Sequence, residues 1–98
     1  MEKQVVDRFL KYTGFNTQSD PDNASSPSTN GQISFGKMLA EELVRIGLSE
    51  VEVDWNGYVM ATLPANIDRK VPVVGFIAPM DTSPDCSGYH VHPRIVED

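Results

Sequence analysis

Apolar residues return along this chain with two different periods, and each period predicts an element. Val5, Val6, Phe9, Leu10 and Thr13 recur at three-to-four spacing among Glu2, Lys3, Asp7, Arg8 and Lys11, which predicts a short helix with one buried stripe. Gly14 is its expected C-terminal stop. From Asn16 to Asn30 the sequence turns to Asn, Ser, Thr, Asp and Pro with almost no apolar residue, so the stretch has no face to bury and reads as an exposed loop. Thr29 followed three residues later by Gln32 has the spacing of a capping box, in which the hydroxyl and the amide each satisfy an orphan helix N–H. A second helix is expected there. Ile33, Phe35, Met38, Leu39, Leu43 and Ile46 form its apolar stripe, Glu41, Glu42 and Arg45 fall mostly off it, and Gly47 stands where a left-handed cap belongs.

The period then changes to two. Val51, Val53 and Trp55 alternate with Glu50, Glu52 and Asp54, and Asn56-Gly57 tolerates the positive φ of a two-residue hairpin turn, so Tyr58 to Leu63 is expected to return as the partner strand. Pro64 to Lys70 is polar and rich in turn residues. After Val71-Pro72 the run Val73-Val74-Gly75-Phe76-Ile77-Ala78 is continuously apolar, the pattern of a central strand covered on both faces. It ends in Pro79-Met80-Asp81-Thr82-Ser83-Pro84-Asp85, where open α/β sheets place ligand chemistry. His90 to Val96 reads as one more strand. Helix, helix, hairpin, buried strand and a final extended piece make an α/β unit, a mixed sheet with helices packed on it.

Composition narrows the partners. The 98 residues are enough for one small domain and no more. Eight Lys and Arg against fourteen Asp and Glu give a formal charge of −6, so the chain lacks the basic field that nucleic acid or an anionic membrane surface selects. The single cysteine, Cys86, forms no internal disulfide, in keeping with a reducing compartment or with indifference to redox state. No apolar run reaches bilayer-spanning length, and the start is amphipathic rather than signal-like. A cytoplasmic location is expected.

The residues that could carry chemistry are few. Asp81, after the apolar run, is either a catalytic carboxylate or one that caps a turn or helix. Asp85 reads as a turn residue. His90 and His92, two apart on an extended segment, would share a face and could share a metal, but the sequence fixes no third ligand. Cys86 has no evident base beside it and reads as a passive thiol. There is no phosphate-binding glycine loop, nucleophile elbow or Cys-x-x-Cys.

Several strings match one family: Arg8-Phe9-Leu10-Lys11-Tyr12, Thr17-Gln18-Ser19, Pro27-Ser28-Thr29-Asn30-Gly31-Gln32, Met60-Ala61-Thr62-Leu63-Pro64-Ala65-Asn66, Gly75-Phe76-Ile77-Ala78 and Met80-Asp81-Thr82-Ser83-Pro84-Asp85-Cys86-Ser87-Gly88. Over essentially its whole length the chain resembles the N-terminal part of the peptidase T family, tripeptide aminopeptidases among the two-zinc exopeptidases. The resemblance implies that residues 1–98 are a single partial domain, an incomplete N-terminal portion of a zinc-exopeptidase catalytic domain. It implies a parent reaction that cleaves the N-terminal peptide bond of tripeptides, with a peptide as substrate and two zinc ions as cofactor.

In that family the strand ends in His-x-Asp, where the His binds zinc and the Asp supports the metal centre. Here the motif reads Pro79-Met80-Asp81, and proline has no side-chain donor atom. Asp81 keeps the family's catalytic position without the imidazole it would serve. The family's remaining ligands and its general-base Glu match no position in this sequence. His90 and His92 fall where Asn is expected, so the resemblance does not make them zinc ligands. The expected state is therefore a chain inactive by itself that binds no native zinc. The alternative is a non-catalytic remnant, self-associating or partner-binding through uncovered sheet surface.

Overall fold

The computed structural model describes residues 1–97. Two helices, α1 (Glu2–Tyr12) and α2 (Asn30–Arg45), precede strands β1 (Ser49–Val53) and β2 (Val59–Thr62), which pair antiparallel as a two-stranded sheet with α2 lying against both. The architecture is α/β, helix on sheet, as the periodicity predicts. No helix among the described residues is long and apolar enough to cross a membrane.

Both ends of α2 fall where the sequence places them, although only one cap forms as expected. Thr29 is the N-cap residue in extended conformation, but its side chain caps nothing. The hydroxyl donates instead to the Gln18 carbonyl at 3.0 Å, and the Gln32 amide donates to the Thr17 carbonyl at 3.4 Å. The expected capping box is thus replaced by two tethers to the preceding loop. At the other end Gly47 has φ +99°, and the N–H groups of Gly47 and Leu48 reach the carbonyls of Val44 and Leu43, each at 3.1 Å. These two bonds are those of a Schellman motif.

The hairpin forms, with a longer turn than the sequence predicts. Asp54 N–H donates to the Tyr58 carbonyl and Gly57 N–H to the Asp54 carbonyl, both at 3.0 Å. Gly57 alone is left-handed, at φ +89°, so the connection is a three-residue loop with a left-handed glycine. Asp54 explains the choice, because its carboxylate accepts the Tyr58 N–H at 2.9 Å and holds the wider turn. One extra residue in β1 between Ser49 and Glu52 shifts the register, and Glu50 takes up the distortion at φ +52°.

The centre of the molecule is small. Among the described residues Phe35 on α2 is the one buried large apolar side chain, 8 % exposed, with the rings of Tyr12 and Phe15 at 5.2 and 5.4 Å between centroids. Such aromatic pairs add about 0.5–1.5 kcal/mol beyond the area they bury. Helix α1 does not bury the stripe its spacing predicts: Val5 and Phe9 are exposed and no α1 residue is buried. It faces α2 through Arg8, Lys11 and Tyr12. The Arg8 Nε–H and the Tyr12 hydroxyl (3.0 Å) both donate to the Glu42 carboxylate, with Lys11 Nζ at 3.9 Å. Glu42, expected mostly off the apolar stripe, is 7 % exposed. A carboxylate tolerates that burial because its oxygens are matched by donors and cations.

The apolar run Val73–Ala78 is not the covered central strand its composition predicts. It forms no ladder, and Val73, Phe76 and Ile77 are 98, 95 and 100 % exposed. The chain leaves β2 at Leu63 and regains the body at Met80, whose methyl lies 3.9 Å from where a β-carbon on Gly36 would sit. Among the described residues α2 packs on the hairpin, and no element covers Val73, Phe76 or Ile77. His90 to Val96 likewise forms no strand. The described chain therefore exposes 8383 Å², where a folded chain of this mass exposes about 5,500 Å². Its radius of gyration is 15.9 Å against about 13 Å for a compact chain of this length.

Glu42 gives stability a defined pH dependence. Burial raises its carboxyl pKa, but the hydrogen bonds from Arg8 and Tyr12 and the charges of Arg8 and Lys11 outweigh that, leaving it below the ordinary value of 4.5. A carboxyl lowered by folding contributes stability that is present above its unfolded pKa and is lost as pH falls through the folded one. The Glu42→Gln variant should lose about 1–3 kcal/mol at neutral pH, and its deficit should close below pH 4.5. Urea melts of both proteins across the acid range check this, and a deficit that does not change with pH would show that the carboxylate charge is not involved.

Candidate functional site

The segment carrying Asp81 is held by the loop that precedes α2. Thr82 N–H donates to the Thr17 carbonyl at 3.1 Å, and Ser19 N–H donates to the Thr82 carbonyl at 3.0 Å, forming a parallel bridge between Gln18 and Thr82. The Ser19 hydroxyl adds a bond to the same Thr82 carbonyl at 3.1 Å. The Gln18 side chain spans the next turn, its amide N–H donating to the Pro84 carbonyl at 3.1 Å while its oxygen accepts the Gly88 N–H at 3.2 Å. One glutamine thus fixes both ends of residues 84–88. Thr17, within the stretch expected to be an exposed loop, is 5 % exposed.

Loop and helix fit at one glycine. A β-carbon on Gly31 would sit 1.7 Å from the Asn16 carbonyl oxygen, so only a residue without one lets the first turn of α2 meet the loop this closely. Between the loops lies an open cleft of about 460 Å³, lined by Asn16, Gln18, Ser19, Asp20, Pro21, Thr29, Gly31 and Pro84. It does not include Asp81.

Of the residues the sequence singles out, Pro79, Asp81, Asp85, Cys86, His90 and His92 are all exposed. The Asp81 carboxylate takes part in no hydrogen bond among the described residues. The nearby turn amides are served by hydroxyls instead, Asp85 N–H by Ser83 and Tyr89 N–H by Ser87, at 3.1 and 3.2 Å. Met80, anchored against α2, fixes where Asp81 leaves the body. The rings of His90 and His92 lie 6.4 Å apart, and Tyr89 meets His90 edge-on at 3.9 Å. His90 has φ +53°, so this is not the extended segment expected. Among the described residues no three His, Cys, Asp or Glu side chains are grouped to hold a metal ion.

Sequence reasoning missed Gln18 and Glu42. The signal for Gln18 lay in the Thr17-Gln18-Ser19 string, a motif with no apolar pattern. Glu42 stands three residues from Leu39 and four from Met38 on α2, close enough to the stripe to bury once donors face it.

Replacing Gln18 by Ala removes both side-chain bonds to residues 84–88 and leaves the Thr82 bridge. Hydrogen exchange should speed up at the Gly88 amide by roughly tenfold, equivalent to about 1.4 kcal/mol, while the Thr82 amide is little changed. Equal acceleration at both would show that bridge and clamp open together. Gly31→Ala should break the approach at Asn16 and loosen both, with an overpacking cost of about 1–3 kcal/mol read from a melt.

No protein-family model matches the chain. Among curated proteins it is 50 % identical over 97 residues to a peptidase T from Geobacillus kaustophilus and 54 % identical over 97 residues to one from a Geobacillus species. It is 58 % identical over 95 residues to a peptidase T from Clostridium botulinum. These matches cover 97–99 % of this chain, which spans about a quarter of the relatives' own length (23–24 %). The resemblance seen in the strings from Arg8 to Gly88 thus extends to half or more of all aligned positions, and the chain belongs to the peptidase T family, corresponding to an N-terminal part of its members.

Proposed function

We propose that this chain is the N-terminal portion of a cytoplasmic, zinc-dependent tripeptide aminopeptidase, and that residues 1–98 alone cannot catalyse the cleavage. The observation carrying the first half is identity of 50–58 % to peptidase T proteins along 97–99 % of the chain. The second half rests on Pro79-Met80-Asp81, which stands where the family has His-x-Asp.

The residues present do not fit a two-zinc centre. Pro79 offers no donor atom, and Asp81 has no His, Cys, Asp or Glu pair grouped with it among the described residues. A two-metal site needs several ligands converging to hold both ions a few Å apart. What this portion contributes is positional: the Thr82 bridge and the Gln18 clamp hold the segment carrying Asp81 against the first turn of α2.

A second reading, a non-catalytic module that associates with itself, is favoured by the full exposure of Val73, Phe76 and Ile77.

Two measurements test the main reading. The 98-residue chain incubated with tripeptides and zinc should release no N-terminal amino acid, and release would overturn its incompleteness. The native gene product should have an intact mass above the 10.8 kDa of this chain. In that longer product Pro79→His should raise zinc content and cleavage together, and no gain would count against loss of the ligand as the cause of inactivity.

A further inference from the structure

Two Asn-Gly pairs occur in the chain, Asn30-Gly31 and Asn56-Gly57. In such a pair the glycine amide nitrogen can attack the asparagine side-chain carbonyl, because the glycine has no β-carbon to obstruct the approach. The nitrogen forms a bond to Cγ, the Cγ–Nδ2 bond breaks, and ammonia leaves with the glycine amide proton. Water then opens the five-membered imide at either carbonyl. Opening at Cγ gives aspartate, and opening at the main-chain carbonyl gives isoaspartate, whose backbone runs through the former side chain. Water is the only other reactant, so the local freedom of the two residues decides whether a given pair reacts.

The fold separates the two pairs. Asn30 and Gly31 lie in the first turn of α2, and Gly31 is wedged against the Asn16 carbonyl oxygen, where a β-carbon would come within 1.7 Å. Swinging the Gly31 nitrogen toward the Asn30 side chain means unwinding that turn, and with it the tethers from Thr29 to Gln18 and from Gln32 to Thr17. Asn56 and Gly57 lie in the loop between β1 and β2. The Gly57 N–H donates to the Asp54 carbonyl at 3.0 Å, and the Asn56 carbonyl accepts from the exposed Ser26 hydroxyl at 3.3 Å. The Asn56 side chain makes no hydrogen bond among the described residues. What closes this loop is Pro27: Gly57 is buried, and a β-carbon on it would lie 2.9 Å from the proline Cδ. Ring closure at Asn56 therefore requires that Pro27 lift and the bond to Asp54 open, which is a local event rather than the melting of a helix end.

We propose that Asn56 is a site of spontaneous deamidation and isoaspartate formation, gated by the Pro27 ring seated on Gly57. The groups involved, at residues 26–27 and 54–58, are all in the described chain, so the proposal does not depend on any bare surface. The product changes the loop that made it. Isoaspartate inserts an extra main-chain carbon between Asn56 and Gly57, inside the loop closed by the two bonds between Asp54 and Tyr58, at 3.0 and 2.9 Å. Either product also adds a carboxylate close in sequence to Asp54. The hairpin turn then loses its fit to Pro27, in the same loop whose Gln18 fastens residues 84–88.

Peptide mapping by mass spectrometry tests this on the chain incubated at mildly alkaline pH, folded and in urea. In the folded chain the peptide holding Asn56 should gain about one dalton, roughly tenfold or more faster than the peptide holding Asn30. An isoaspartate-specific methyltransferase should label the Asn56 peptide, and Asn56→Gln should remove the label. In urea the two pairs should react at similar rates. Pro27→Ala should speed the reaction at Asn56 while leaving Asn30 unchanged. In the modified chain hydrogen exchange at the Tyr58 amide should quicken by roughly tenfold. No gain at Asn56 in the folded chain, when the urea sample reacts, would overturn the site. Equal rates at Asn30 and Asn56 in the folded chain, or a difference that persists in urea, would overturn selection by the fold. A rate at Asn56 indifferent to Pro27→Ala would overturn the gate, and unchanged exchange at Tyr58 would overturn the effect on the turn.

Discussion

Thr82 exchanges two main-chain hydrogen bonds with the segment Thr17 to Ser19, and the placement of everything after Met80 depends on that bridge. It returns the chain to the body after the long exposed excursion from Leu63, and it sets the point from which Asp81 projects. The bridge rests on Thr17, which is buried because Gln32 and Gly31 of α2 receive that stretch of loop. Gln18 then fastens residues 84–88 with a single amide that donates to one carbonyl and accepts from one N–H. The second helix, the polar loop and the Asp81 segment therefore form one unit joined by directional bonds.

Polar bonds carry this load because apolar burial is scarce. Phe35, between Tyr12 and Phe15, is the one large apolar side chain buried among the described residues, and helix α1 is held to α2 by Arg8, Lys11 and Tyr12 around the Glu42 carboxylate. Arg8 is itself held more firmly protonated, first through its hydrogen bond to Glu42, and Tyr12 is pushed up by burial and by its own hydrogen bond to Glu42. Directional contacts of this kind specify geometry well and add little net stability, since each replaces bonds to water. The apolar surface that would supply the larger driving force lies outside the body, on Val73 to Ile77.

The same division governs function. Of the strings that place the chain in the peptidase T family, Thr17–Ser19, Pro27–Gln32 and Met80–Gly88 lie on the loop, the α2 entrance and the segment that the bridge and clamp join. The one position where a metal ligand is expected carries Pro79, and Asp81 stands in solvent with no partner among the described residues. The bridge and clamp hold the Asp81 segment in place, while among the described residues no three His, Cys, Asp or Glu side chains are grouped to hold a metal ion.

The local elements were legible in the sequence because short-range physics sets them. The 3.6-residue period from Ile33 to Leu43, the left-handed glycine at Gly47 and the alternation around Val51 and Val53 each act within a few residues. The family membership was legible in the same way, from contiguous strings. What the sequence could not assign was the partner of each exposed or buried group. Val73–Ala78 has the composition of a covered strand, but a strand is defined by an edge to pair with, and among the described residues none lies beside it. Thr29 and Gln32 have the spacing of a capping box, but a nearby loop offered carbonyls to both. Glu42 looks like a surface carboxylate until Arg8 and Tyr12, more than thirty residues away, converge on it. Periodicity and caps are local properties of the chain, whereas burial, strand pairing and hydrogen-bond partnership depend on which distant residues arrive, and only the tertiary structure decides that.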